Sequence, residues 1–246
     1  MAASARLSEA NSIRSNPRKS LLLIAVCFTL SGAAGLIYEV LWMRMLGLVF
    51  GATTIAISVV LAAFMGGLAF GSSLAARVAP RITRPLRTYA WIEIAIGLYA
   101  LALPTALRAI DYVDATLWQR IHPGTLSFAI VRFVLATAVL LVPTAFMGAT
   151  LPVIVAAIRQ RGATAPRIIS RFYGLNLLGA VIGTLAGGFL LLPNFGMRVT
   201  IWIAALINLL IGTFVLIFAP RASVLNGASS EPVSYTHLTL PTILRV

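Results

Sequence analysis

Six long apolar runs separated by arginine-rich connections constrain this chain of 246 residues more than any other feature. A helix needs about 20 mainly apolar residues to cross the hydrocarbon layer of a bilayer, whereas a transmembrane barrel would alternate apolar and polar residues in short segments. Hydrophobic residues make up 60% of the chain and charged residues only 10%. The sequence therefore predicts an all-α integral membrane protein with six transmembrane helices. The predicted spans are Leu21–Trp42, Thr54–Ala76, Tyr89–Leu107, a region within Leu126–Ile158, Phe172–Leu192 and Val199–Phe218.

The fourth span leaves two alternatives open. It is longer than a bilayer requires, carries Arg132 near its start, and contains Pro143 and Pro152. Proline inside a helix removes a hydrogen bond and favours a kink. One tilted, kinked helix is the first interpretation, and a helix followed by a short interfacial piece is the second.

The basic residues indicate the orientation of the spans. The net charge is +13, but the Arg and Lys residues concentrate before the first span, after the sixth and in alternate connections. An excess of basic residues marks the cytoplasmic side, so both termini are expected in the cytoplasm, with the chain passing several times through the membrane. The excess also favours contact with anionic lipid headgroups, and no nucleic-acid partner is predicted. The aromatic residues expected at the two interfaces are Trp42, Trp118 and Trp202 outside, and Tyr89, Trp91 and Tyr173 inside.

The chain divides into four predicted parts. Residues 1–19 form a basic cytoplasmic tail, residues 20–220 the membrane domain, and residues 221–232 a polar linker. Residues 233–246 contain the string VSYTHLTLPT, which resembles the translation of a sequencing-library adapter. This last part is expected to be non-native, and the natural chain is expected to continue past the linker.

Two sets of three spans insert with opposite orientation, which favours a 3+3 inverted repeat of the kind common in secondary transporters. The middle span of each set carries small residues four positions apart, which places them on one helix face. Small residues there allow close helix packing; a sliding surface for a conformational change is the alternative. The predicted packing glycines are Gly67, Gly71, Gly179, Gly183 and Gly187.

Ionisable side chains inside the spans are the candidates for binding a substrate or forming an ion pair, because a charge there needs a partner, a cavity or an interface. Glu39 and Arg44 lie at the end of the first span, and Glu93 lies a turn or so inside the third. Each carboxylate is interpreted either as an interfacial anchor or as part of a cation site. Arg132 snorkels to the interface or pairs with Glu39.

The remaining polar residues are predicted to have structural roles or to take no part in catalysis or binding. Asn176 and Asn208 are expected to hydrogen-bond between helices, and Cys27 to be a small packing residue. The aspartates of the loop after the third span are expected to be solvated. No catalytic residue, metal site or cofactor is predicted, since His122 is alone and no nucleotide-binding loop occurs.

Four strings together resemble the membrane portion of bacterial fused major-facilitator/spermidine-synthase-like proteins. They are SGAAGLIYEVLWMRMLGLVFG, LAAFMGGLAFGSSLAARVAP, LVPTAFMGATLPVIV and YGLNLLGAVIGTLAGGFLLLPNFGMR. The resemblance implies that a soluble, aminopropyltransferase-like domain follows the membrane domain in full-length relatives. It stops near Pro220, so this chain is expected to lack the catalytic half and, by itself, to be no enzyme.

Three functions follow as hypotheses. The first is a transporter-like domain for polyamines or other small cations, with Glu39 and Glu93 as the acidic residues. The second is an anchor that holds the missing domain at the membrane. The third is a scaffold or half-transporter that forms homo-oligomers through its rows of small residues.

Overall fold

The computed structural model describes residues 17–50, 53–121, 125–160 and 166–218. Most of the predicted N-terminal tail, the linker and the adapter-like segment lie outside the described residues. Within them all regular structure is helical. The elements are α1 (Pro17–Phe50), α2 (Thr54–Val78), a 3₁₀ turn (Ala79–Arg81), α3 (Pro85–Ile121), α4 (Thr125–Arg159), α5 (Pro166–Leu185), a π-helical segment (Ala186–Leu191) and α6 (Leu192–Phe218).

Five helical segments of the described chain are long and apolar enough to cross a membrane, and the prediction of six separate ones is therefore corrected. The difference lies in the last segment, Pro166–Phe218, which runs for 53 residues through α5, the π-helical segment and α6. It contains both the fifth and the sixth predicted span, and no loop separates them. The break between them is at Gly196, whose φ of 71° and ψ of 174° are not helical. Glycine adopts positive φ without steric cost, so the chain turns there without leaving the segment.

The fourth predicted span forms one helix, α4, with Pro143 and Pro152 inside it. Pro143 has no N–H to donate to the carbonyl of Val139, one turn earlier. The hydroxyl of Tyr99 on α3 donates to that carbonyl at 2.7 Å. A side chain of a neighbouring helix thus satisfies the acceptor that the proline leaves free.

Helices α1 and α5 pack side by side along their small residues. A side-chain carbon added to Gly179 of α5 would overlap the backbone of Thr29 on α1, and one added to Gly183 would overlap Ala33. Because both residue numbers rise together, the two helices run in the same direction. Gly187, farther along in the π-helical segment, lies beside Ile37.

Helices α2 and α4 form a second close pair of the same kind. A side-chain carbon at Gly67 would overlap Thr144, and one at Gly71 would overlap the backbone of Ala145. The side chain of Gln160, just after α4, donates to the carbonyl of Ile82, just after the 3₁₀ turn that follows α2, at 3.0 Å, so these helices also run in the same direction. Both rows of small residues are therefore covered by helices of their own chain, and they do not form the subunit interface that the scaffold hypothesis required.

Helices α3 and α6 cross in opposite directions at the centre of the molecule. Gly97 of α3 lies against Ala205 of α6, and Gly212 of α6 lies against Ala90 of α3. Helix α3 also runs opposite to α4. Tyr99 contacts Val139 near the middle of both helices, and Asp114 contacts Arg132 nearer to the ends that are joined in sequence.

Helices α1 and α3 run in the same direction, since Phe28 contacts Tyr89 and Ser31 contacts Glu93, and α5 is parallel to α1. Consecutive helices therefore alternate in direction from α3 to α6, with the reversal between α5 and α6 at the Gly196 break.

Candidate functional site

Glu93 is the centre of a buried polar site where three helices meet. Its side chain on α3 is completely buried. The hydroxyl of Ser31 on α1 donates to Oε1 of Glu93 at 2.6 Å, and Nδ2 of Asn208 on α6 donates to Oε2 at 2.5 Å. Each carboxylate oxygen therefore accepts a hydrogen bond from a different helix, which ties α1 and α6 to α3.

The network continues from Asn208 to the aromatic side chains of α1. The hydroxyl of Tyr38 donates to Oδ1 of Asn208 at 3.0 Å. The orientation of the Asn208 amide follows from chemistry, because only its NH₂ group can donate to a carboxylate. The Tyr38 ring stacks on Trp42, with 5.1 Å between centroids and an interplanar angle of 16°. Both aromatic side chains are fully buried, so Trp42 does not take the interfacial position predicted for it.

Tyr89 completes the surroundings of the carboxylate, one turn before Glu93 on α3. It is fully buried, and its ring meets Phe28 of α1 edge to face at 6.4 Å. The Tyr89 hydroxyl lies close to Glu93 but makes no hydrogen bond of regular geometry in the described part of the chain. Tyr89 was predicted at the membrane interface, and the structure instead places it beside the buried site.

No basic side chain of the described residues forms an ion pair with Glu93. Burying a carboxylate with its charge is costly unless a cation or several hydrogen bonds compensate it. Ser31 and Asn208 are neutral donors, so they orient the carboxylate without neutralising it. The carboxylate is the group of this site that can take up a proton, and the two hydrogen bonds hold its oxygens in place.

The other predicted ionisable residues lie away from this site. Glu39 is partly buried and Arg44 is exposed, and the described residues form no ion pair between them. Arg132 binds Asp114 instead of Glu39, through two contacts of 3.3 Å. The Arg132 guanidinium also lies 5.5 Å from the centre of the Phe50 ring.

The Arg132–Asp114 pair corrects two predictions. Asp114 was expected to be solvated in a loop, but it is buried. The alternative that Arg132 pairs with Glu39 is also corrected, because Arg132 pairs with Asp114. The reason is the length of α3, which continues to Ile121, well beyond the predicted end at Leu107. This extension carries Asp114 along the helix to a position opposite the first turns of α4.

The two asparagines bridge helices in different ways. Nδ2 of Asn176 on α5 donates to the backbone carbonyl of Phe28 on α1 at 2.8 Å, whereas Asn208 belongs to the Glu93 network. Cys27 is buried in the apolar cluster near Phe28. The described residues contain no group of three or more His, Cys, Asp or Glu side chains that could hold a metal ion.

Ser31 and Tyr38 belong to the site but were not singled out from the sequence, and Tyr89 was singled out only as an interfacial aromatic residue. Each is a hydroxyl-bearing residue in an otherwise apolar run, which is a weak signal because such residues also occur singly in helix contacts. Their role depends on which helices are neighbours.

In comparison with known proteins, the chain is similar to proteins named polyamine aminopropyltransferase. It is 29% identical over 201 residues to a polyamine aminopropyltransferase of Corynebacterium efficiens, which covers 79% of this chain and 34% of the relative. It is 28% identical over 216 residues to a polyamine aminopropyltransferase of Mycobacterium tuberculosis, covering 82% and 36%. It is 26% identical over 202 residues to polyamine aminopropyltransferase 1 of Streptomyces coelicolor, covering 82% and 34%.

The chain spans about a third of the length of the curated relatives it matches. No protein-family model matches the chain, and no solved structure matches it.

Proposed function

We propose that this chain is a membrane domain that binds a small organic cation of the polyamine class at Glu93 and takes part in its passage across the bacterial inner membrane. The observation that carries the proposal is the burial of Glu93 between α1, α3 and α6 with neutral hydrogen-bond donors on both oxygens. An acidic residue inside a membrane domain is costly and commonly marks an ion or substrate path.

The chemistry of the site favours an ammonium group. A primary ammonium carries three donors and one positive charge. It can therefore donate hydrogen bonds to the Glu93 carboxylate, which would be its counter-ion. The Tyr38 hydroxyl donates to Asn208, so it holds the amide that in turn orients the carboxylate. The relatives are named for polyamines, which supports this class over other amines.

The proposed topology places six crossings in the membrane with both termini in the cytoplasm. The concentration of basic residues in alternate connections supports this orientation. Within Pro166–Phe218, a helix of 53 residues at 1.5 Å per residue would be about 80 Å long, far longer than a hydrocarbon core of about 30 Å. Two crossings joined at the Gly196 break account for this length.

An inverted repeat relating α1–α3 to α4–α6 is the second part of the proposal, and paired contacts support it. The contact of Gly71 on α2 with Ala145 on α4 has a counterpart in that of Gly179 on α5 with Thr29 on α1. A second pair of contacts, about one turn away, corresponds in the same way: Gly148 of α4 contacts Leu68 of α2, and Gly32 of α1 contacts Asn176 of α5. In both helix pairs the two contacts lie three residues apart on each helix.

The crossing of α3 and α6 supports the same relation at its centre. Gly97 meets Ala205 and Leu209, and Gly212 meets Ala90 and Ile94. Exchanging the two helices converts one set of contacts into the other, and it also exchanges Glu93 with Asn208. These two residues are hydrogen-bonded to each other, so the candidate site lies where the two repeats cross.

The amino-acid sequence carries traces of the same repeat. The string IEIAIG begins at Ile92 and INLLIG begins at Ile207, and both end on the glycine of the crossing. FMGGLAFG begins at Phe64 and FYGLNLLG begins at Phe172, with both phenylalanines buried. Inverted repeats with a binding site at their interface are the common architecture of secondary transporters, which supports transport over a purely structural role.

Transport of labelled putrescine and spermidine in proteoliposomes tests the proposal. Glu93→Gln keeps the side-chain shape and one acceptor oxygen, removes the negative charge, and replaces the second acceptor oxygen with an NH₂ group. We expect this variant to lose most of the cation flux. Glu39→Gln, which changes a partly buried acid on α1 outside the site, is the matched control and should retain the flux. Equal flux in wild type and Glu93→Gln would refute a role for this carboxylate.

Anchoring is a second candidate function, favoured by the finding that the alignment covers about a third of the relatives' length. In that case the helices would hold an aminopropyltransferase-like domain at the membrane. A full-length relative whose transferase activity is unchanged by deletion of the equivalent helices, and which transports no polyamine, would favour anchoring over transport.

A further inference from the structure

A cavity of about 550 Å³ lies between the end of α1, the second half of α3 and the start of α6, on the side of the molecule that carries the Arg132–Asp114 pair. Most of its wall is apolar and includes Leu48, Leu101 and Trp202. These three side chains are 74%, 40% and 56% exposed, respectively. The cavity therefore opens on the outer surface of the helices, where the proposed membrane topology places lipid.

Three charged side chains line the same cavity. Arg108 and Asp111 lie three residues apart on α3, and Arg198 lies just after the Gly196 break on α6. Residues three apart on a helix share a face, so Arg108 and Asp111 reach the cavity together. None of the three belongs to an ion pair in the described part of the chain, and all three are exposed.

This combination of charges selects one class of ligand. Two guanidinium groups match the geometry of a phosphate, to which arginine binds with paired hydrogen bonds. A simple anion would leave the Asp111 carboxylate without a partner. A headgroup that carries a phosphate and a primary ammonium satisfies all three side chains, and the apolar wall suits the attached acyl chains.

We propose that this cavity is a binding site for an aminophospholipid with a phosphoethanolamine headgroup, with the phosphate between Arg108 and Arg198 and the ammonium at Asp111. A phosphocholine headgroup has the same charges but no N–H to donate, so it cannot hydrogen-bond to Asp111. A phosphoglycerol headgroup has no positive charge at all. The site therefore distinguishes headgroups through a single carboxylate.

The fluorescence of Trp202, which lies in the cavity wall, can be used to measure lipid binding. Phospholipids with brominated acyl chains quench tryptophan fluorescence on contact, and the difference between wild type and Trp202→Phe isolates the signal of this residue. In mixed micelles of detergent and lipid, we expect brominated phosphatidylethanolamine to half-quench Trp202 at about a fivefold lower mole fraction than brominated phosphatidylcholine, as for one additional charge-assisted hydrogen bond near the surface.

Charge variants decide whether the cavity causes this preference. Asp111→Asn should bring the two lipids to the same half-quenching mole fraction. Arg108→Gln combined with Arg198→Gln should raise that fraction for both. Arg44→Gln, which removes an exposed arginine at the end of α1 outside the cavity lining, is the control and should change neither.

Two results would overturn the proposal. One is equal quenching by the two lipids in the wild-type protein, or a preference that survives in Asp111→Asn. The other is that soluble glycerophosphoethanolamine prevents the quenching of Trp202 by brominated phosphatidylethanolamine when the two compounds are present at similar concentrations. That result would assign the cavity to a free headgroup compound. Because the variants replace exposed side chains, size-exclusion profiles matching wild type are expected and confirm that each result reports binding.

Discussion

Replacing Asn208 with alanine tests whether the buried network stabilises the contact of α1, α3 and α6. The substitution removes the hydrogen bond to Oε2 of Glu93 and the bond accepted from Tyr38. Hydrogen bonds between transmembrane helices contribute about 0.6 kcal/mol on average and at most about 1.7 kcal/mol. Two such bonds, both fully buried, give an expected loss of about 1–3 kcal/mol in the free energy of unfolding.

Reversible unfolding by SDS in lipid bicelles measures this loss. Asn194→Ala is the matched control, since Asn194 is exposed and, among the described residues, its amide donates only to the Leu190 carbonyl of the same helical segment. We expect the control to change the free energy of unfolding by no more than about 0.5 kcal/mol. Equal losses in the two alanine variants would refute the reasoning.

A double-mutant cycle separates the hydrogen bond from the cavity that alanine leaves. Tyr38→Phe removes only the hydroxyl that donates to Asn208. In the Asn208→Ala background that hydroxyl has lost its acceptor, so its removal should cost less than it does in the wild type. The difference is the coupling energy of the pair, and a value of zero would show that Tyr38 and Asn208 do not depend on each other.

Two further predictions concern the packing of the helices. Gly71→Leu should destabilise the protein strongly because its side chain would overlap the backbone of α4, whereas Gly66→Leu on the open face of the same helix should be tolerated; equal thermal stability of the two variants would contradict the close α2–α4 contact. Tyr99→Phe should cost about 1 kcal/mol because Val139 loses the donor that replaces the proline N–H. In a Pro143→Ala background the helix supplies that donor, so a cost of the same size there would exclude this explanation.

The apolar runs predicted the central part of each helix, because a long continuous apolar run favours a helix, but they did not predict the extensions of α1 to Phe50 and of α3 to Ile121. They did not reveal how the last two runs are joined. The string FLLLPNFGMR contains the turn signals Pro193 and Gly196, yet the helical hydrogen bonding continues up to the break. A single glycine with positive φ is enough to reverse the chain. Counting apolar runs does not show whether two runs are joined by a loop or by one such residue.

The ionisable residues show the same limit at the level of side chains. Glu93 was identified as an intramembrane acid, but its partners depend on the neighbours of α3, which periodicity within one helix does not specify. Trp42 was assigned to the interface from its position at the end of a predicted span. The actual helix α1 extends to Phe50, so Trp42 lies well inside it and packs against Tyr38.

One signal in the sequence points directly to the site. When IEIAIG and INLLIG are aligned, Glu93 and Asn208 occupy the same position in two segments that resemble each other. If these segments are inverted copies, equivalent positions lie close together near the axis that relates the copies. The 2.5 Å hydrogen bond between the Glu93 and Asn208 side chains agrees with this expectation. A carboxylate in one copy and an amide in the other can form that bond, whereas two carboxylates would repel each other. In an inverted repeat of this kind, the exchange of one acid for an amide would distinguish the two halves at the point where they meet.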